Sequence, residues 1–243
     1  MILFLFFFIL SKSFALELPS YFPKCCVDDS DISNCVLKAA LKLKPYIING
    51  VKEIEIPRLY PLVLPNFYIN YNTEDIHFES DLRNFTLYGM NKYDIENLEF
   101  DPKELQLKGK LLFKELFFHS FCDIKKGEMV NVPIIADGIF GGLMGPLNLT
   151  FNISGSFVTR NGKQFAELKD AEFDVDIAEY VIQYEGLKYE NGPWGNTNKI
   201  IRNNSERLSK AIAGAYKKMF KGYATNYLKW FLGEIAYFDL FPC

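Results

Sequence analysis

Apolar positions recur every three to four residues near both ends of the chain and alternate one-in-two through its middle. Ile32, Val36, Ala39, Leu43 and Ile47 share one helical face, and Asp28, Asp29, Ser30 and Asp31 offer a cap with favourable charge. Pro45 is expected to kink or shorten this helix and Gly50 to stop it. From about Glu53 to Tyr189 the pattern is that of strands. Ile54 and Ile56 lead into Pro57; Phe67, Ile69 and Tyr71 alternate, and so do Ile76, Phe78 and Leu82. Phe85 and Leu87 fall out of phase, which predicts a bulge near Arg83-Asn84. Val130, Val132 and Ile134 follow, then Leu147, Leu149, Phe151 and Ile153. Arg160-Asn161-Gly162-Lys163 carries a two-residue hairpin signal. Ala171, Phe173, Val175 and Ile177 form the returning strand, with Asp174 and Asp176 on its solvated face.

The last third returns to helical spacing. About Ser205 to Ala236 reads as one helix, roughly 48 Å long at ~1.5 Å per residue. Leu208, Ile212, Ala215, Met219, Tyr223, Tyr227 and Trp230 form one stripe, widened by Ala211, Phe220, Ala224, Leu228, Phe231 and Ile235. Such a helix needs cover on most sides, and the sheet is the only element large enough to give it. No linker, low-complexity segment or short repeat interrupts the chain, so one domain is expected. The fold class expected is α+β: a highly curved antiparallel sheet wrapped around the long C-terminal helix.

Ile2 to Leu10 is an unbroken apolar run, followed by Ser13-Phe14-Ala15 with small residues where a signal peptidase needs them. Residues 1–15 are therefore expected to be a signal peptide, and 16–243 a single secreted domain. Gly138 to Thr159 also lacks charge, but its glycines and its alternation of Leu147, Leu149, Phe151 and Ile153 with polar residues mark a strand, not a membrane span. Cys25, Cys26, Cys35, Cys122 and Cys243 would then meet an oxidising compartment. Cys25 and Cys35 flank a short loop that Cys26 competes to close, and Cys122 has Cys26 or Cys243 as possible partners; connectivity stays open. Sequons occur at Asn84, Asn148, Asn152 and Asn203. Asn148 and Asn152 fall on the polar face of their strand, compatible with glycosylation.

Composition sharpens the reading at one point. The chain has 23 Phe, 14 Tyr and 2 Trp, which suits either a thick core or an apolar cavity wall. A net charge of −3 argues against nucleic acid. No HExxH, GxSxG, GxxxxGK or GxGxxG pattern occurs, and His77 and His119 stand far apart. No catalytic residue, metal site or cofactor is expected. Tyr223, Tyr227 and Trp230 are candidate lining residues with polar tips, and Phe67, Ile134, Phe151, Phe173 and Met219 candidate apolar wall. Between Lys199 and Glu234, eight Lys or Arg face two Glu, a surplus that would aid docking on anionic membranes.

Cys25 and Cys35, Leu43-Lys44-Pro45-Tyr46 with Gly50, and the run Ile54 to Leu62 follow one another in a distinctive order. Leu82 to Gly89, Gly127 to Gly138 and the closing Ile235 to Pro242 complete the series. In these segments and their spacing the sequence resembles the insect takeout and juvenile-hormone-binding protein family. The resemblance implies a long helix in a rolled sheet enclosing an apolar tunnel, a Cys25–Cys35 disulfide, and a monomeric secreted carrier of a small hydrophobic ligand. Juvenile-hormone-like terpenoids, fatty acids and other lipids are the ligands it suggests. Cys26, Cys122 and Cys243 are additions to the family pattern, and Ala236 replaces its usual proline. Two other classes fit the sequence: a membrane-active, lipopolysaccharide-binding type of lipid-transfer protein, and a secreted interaction protein with a filled core.

Overall fold

The structure, a computed structural model, describes residues 16, 18–64, 66–74, 76–129, 131–187 and 197–243, and for Phe67 and Phe78 the backbone alone. The expected signal peptide, and Val130 in the strand pattern, lie outside the described residues.

Helix α1 spans Ile32–Asn49, with Gly50 beyond it at φ 84°. Its first turn is tied by side chains: the Asp31 N–H donates to Asp29 Oδ1, and Asn34 Nδ2 donates to Asp31 Oδ2. Pro45 lies inside the helix without ending it, since a missing N–H so near the C-terminus forfeits one bond of the ladder. The expected strand at Ile54 and Ile56 does not form. Lys52–Ile54 is a 3-10 turn and Val51 meets Ile56 in a single bridge. Pro57 cannot donate to a ladder, while Ile54 is buried anyway.

The strands are β1 Leu62–Leu64, β2 Phe67–Asn72, β3 Ile76–Tyr88, β4 Tyr93–Asp101, β5 Gln106–Phe113 and β6 Leu116–Met129. They continue as β7 Val132–Pro133, β8 Ala136–Met144, β9 Leu147–Arg160, β10 Lys163–Ile177 and β11 Tyr180–Tyr184. One group runs β1-β3-β6-β8-β11, with β2 beside β3 and β7 beside β6; the other runs β10-β9-β5-β4. Every pairing is antiparallel. Each strand of β3, β6, β8 and β11 continues across a short connection into β4, β5, β9 or β10, in the same lateral order. The two groups are thus one sheet folded along a seam. Backbone bonds cross that seam: Gly145 N–H donates to the Glu179 carbonyl and Ala178 N–H to the Pro146 carbonyl.

Local chemistry sets the shape as predicted. The β3–β6 register skips between Arg83 and Thr86, and Asn84 holds φ 55°. That extra residue lets Leu82, Phe85 and Leu87 all turn inward despite their broken phase. Asn161 and Gly162 join β9 to β10 with φ 51° and 77°, the double positive φ of a type I′ turn.

Helix α2 covers Thr197–Asn203, α3 Ser205–Glu234 and α4 Tyr237–Leu240. Helix α3 lies mainly along β10 and also touches β11. Cover is less complete than its apolar stripe implied. Leu208, Ser209, Ile212 and Tyr216 are buried, whereas Tyr223 is 51% exposed. Helix α3 meets the end strands of the two groups, so the roll closes on one side of it and Lys217, Lys218, Lys221 and Lys229 take the other. No helix among the described residues is long and apolar enough to cross a membrane.

Candidate functional site

Folding one sheet over a helix brings three walls together without filling the space between them. A chamber of about 360 Å³ opens between β2, β3, β8, β11 and the middle of α3. Its deep wall is Phe85, Phe140, Ile182 and Tyr184, and its mouth carries Tyr68, Lys218 and Tyr223. Alternation on β11 sends Tyr180, Ile182 and Tyr184 inward together, all nearly inaccessible to water. Stacked rings stiffen this wall: Phe118 lies 5.2 Å from Tyr180, and Phe140 5.6 Å from Tyr184, centroid to centroid.

The chamber's hydroxyls are mostly spoken for. Tyr71 donates to the Ala211 carbonyl at 2.6 Å, pinning β2 to α3. Tyr184 donates to Met129 Sδ at 3.5 Å, and the Tyr180 and Tyr216 hydroxyls are hydrogen-bonded to each other. Burial pushes Tyr180, Tyr184 and Tyr216 well above the ordinary phenol value, so all three stay neutral. Such a wall is apolar in bulk, with a few uncharged polar points.

A second chamber of about 340 Å³ lies on the other side of the seam, beneath α1. Ile47, Ile95, Leu111, Leu149, Phe151 and Phe220 are among its lining residues. It shares no lining residue with the first, although Met219 belongs to one and its neighbour Phe220 to the other. Interior space therefore follows α3 as a pair of chambers. A larger groove of about 660 Å³ is lined by Glu99, Lys108, Lys110, Glu172, Asp174 and Lys221 among others, a charged setting that does not suit apolar cargo.

The expected site residues separate. Met219 and Tyr223 line the first chamber, Phe151 the second, and Phe151 with Phe173 the charged groove. Ile134 is 1% exposed within the core and lines none of these spaces. Tyr227 donates to the Ile54 carbonyl at 2.9 Å, and Trp230 packs beside it. Burial pushes the Tyr227 hydroxyl up to about 12. The Phe67 side chain lies outside the described residues, though its backbone pairs with Leu82. Sequence reasoning passed over Tyr71, Tyr180, Tyr184 and Tyr216. The first three lie at inward positions of their strands, and Tyr216 extends the i, i+4 series of Leu208 and Ile212, so the signal was present.

Two disulfides form, Cys25–Cys35 and Cys26–Cys243, leaving Cys122 free and buried. Cys26, Asp28 and Cys243 cluster closely, but the two sulfurs are bonded to each other and leave no thiolates for a metal. Burial pushes the Cys122 thiol up to about 11. Its thiolate is accordingly scarce below that pH, whereas an unfolded cysteine ionises near 8.5. Iodoacetamide at pH 8 should leave the native protein unmodified and add one group after denaturation without reductant, read by mass. Asn84 and Asn203 are exposed, and Asn148 and Asn152 sit half-buried on the outer side of β9.

A rolled antiparallel sheet, a long helix and apolar interior chambers define a class of folds built around internal space. The sequence matches the family described as haemolymph juvenile hormone binding protein over residues 2–242, and the chain belongs to that family. Among solved structures it is similar to Takeout 1 of Epiphyas postvittana, with 16% identity and a TM-score of 0.72 over 91% of this chain and 100% of that one. A lipopolysaccharide binding protein aligns at 11% identity and a TM-score of 0.34, over 83% of this chain and 40% of the other. No curated protein matches the chain at a significant level.

Proposed function

We propose that the protein is a secreted, non-enzymatic carrier whose residues 16–243 hold one small hydrophobic molecule in the first chamber. The observation carrying this is the chamber itself: about 360 Å³ of mostly apolar space walled by aromatic and aliphatic side chains. Ligand sites span roughly 300–1,000 Å³, so a single-chain lipid or terpenoid is the matching size class. About fifteen buried carbons would contribute on the order of 10 kcal/mol gross at ~0.8 kcal/mol per CH₂. Association costs leave micromolar to nanomolar affinity. Neutral tyrosines would orient the cargo rather than react with it. Membership of a family described as hormone binding supports the reading, as do two disulfides suited to an oxidising compartment. Exposed cations on α3 beside the mouth support loading at anionic membranes.

Ala215 lines the chamber from α3. Ala215→Trp would place an indole in the space a cargo needs, and should weaken binding of the fluorophore N-phenyl-1-naphthylamine at least tenfold. Circular dichroism should be unchanged. Equal affinity in variant and wild type would remove the first chamber as the site. Native mass spectrometry with lipid extraction of the purified protein would then name the natural cargo.

A further inference from the structure

The geometry points to Lys218 as the head-group anchor of the first chamber, and to a single-chain amphiphile ending in a carboxylate as its cargo. This rests on the carrier reading and narrows it. Among the chamber's lining residues Lys218 alone is charged; no Asp or Glu accompanies it. Its ammonium sits over the Tyr71 ring, 5.6 Å from the centroid. Tyr71 is itself fixed by its bond to Ala211, so the cation has a defined place at the wall. Two other lysines of α3 are paired, Lys217 with Asp174 at 3.1 Å and Lys210 with Glu206 at 2.8 Å, while Lys221 and Lys229 do not line the chamber. Lys218 forms no ion pair among the described residues.

Polarity grades along the chamber. Lys218, Tyr223 and Tyr68 are exposed at the mouth; Phe140, Ile182 and Tyr184 are buried at the depth. The deep hydroxyls already have partners in each other and in Met129, so a methyl-ended tail leaves none of them wanting. A carboxylate at the mouth gains a charge-assisted hydrogen bond. A neutral ester leaves the ammonium unmatched, and an amine is repelled. Solvent and salt reach the mouth, which limits the preference to about tenfold and makes it fall with ionic strength.

The test compares dodecanoic acid with methyl dodecanoate on the mature chain at pH 7.4, by displacement of N-phenyl-1-naphthylamine. Wild type should bind the acid about tenfold more tightly. In Lys218→Met the two compounds should bind alike, whereas Lys218→Arg and Lys221→Met keep the preference. Lys221 is a neighbouring cation outside the chamber lining, so it controls for general surface charge. Equal wild-type affinities for acid and ester, or a preference that survives Lys218→Met, would overturn the anchor and leave the carrier standing. Failure of both compounds and of the fluorophore to bind wild type would overturn the carrier reading and the anchor with it.

Discussion

Gly142→Ala is expected to destabilise the protein by on the order of 3 kcal/mol and to abolish binding in the first chamber. A Cβ at this position would lie 1.9 Å from the Val181 carbonyl oxygen and 2.9 Å from the end of the Phe118 ring. The first neighbour decides the matter, because a backbone oxygen in a ladder cannot rotate away as a side chain does. Residue 142 pairs with Ile182, so relief requires β11 to leave β8. With β11 go Tyr180, Ile182 and Tyr184, which make up much of the chamber's buried wall. Urea denaturation read by circular dichroism, together with fluorophore binding below the transition, measures both effects. Gly222→Ala supplies the contrast: nothing lies within 4 Å of its Cβ, and it sits inside α3. Alanine there should stabilise by up to about 1 kcal/mol through helix propensity. Wild-type stability in Gly142→Ala would refute the β8–β11 pairing.

Replacing both Cys26 and Cys243 with serine should produce the largest stability loss of any single cross-link. Their bond spans a sequence separation of 217, against 10 for Cys25–Cys35. In the chain-entropy model the long loop contributes about 5 kcal/mol and the short one about 3 kcal/mol. The double variants should therefore rank in that order in urea midpoints, measured without reductant. None of the four cysteines lines either chamber, so fluorophore affinity should be retained wherever the variants remain folded. A smaller loss for Cys26→Ser/Cys243→Ser than for Cys25→Ser/Cys35→Ser would contradict this account. It would place the stabilisation in the native segment around α1 instead of in the unfolded chain.

Much of the fold was legible because it rests on local rules. Residue spacing on α1 and α3, the αL-permissive Asn161-Gly162 turn and the phase break at Asn84 each depend on a few neighbouring side chains. Local pattern misled where a competing constraint was also local but differently weighted. Ile54 and Ile56 alternate like a strand, yet the following proline and a 3-10 turn prevail.

The site was less legible. Inward tyrosines on β2, β11 and α3 can be read one strand or helix at a time, but nothing in a single segment says which of them converge. Tyr227 and Trp230 share the stripe of Met219 but line neither of the two chambers described, because α3 runs past the end of the first to where Tyr227 bonds the Ile54 carbonyl. The sequence by itself determined the periodicities, the bulge, the hairpin turn and the excess of rings available for an interior. Only the tertiary structure decided that Cys26 meets Cys243 and Cys122 stays free, that Lys218 faces a chamber while Lys217 faces Asp174, and that the rings leave space between them. Periodicity specifies which face of an element turns inward; volume left unfilled depends on how distant elements approach, and that distance is not a local quantity.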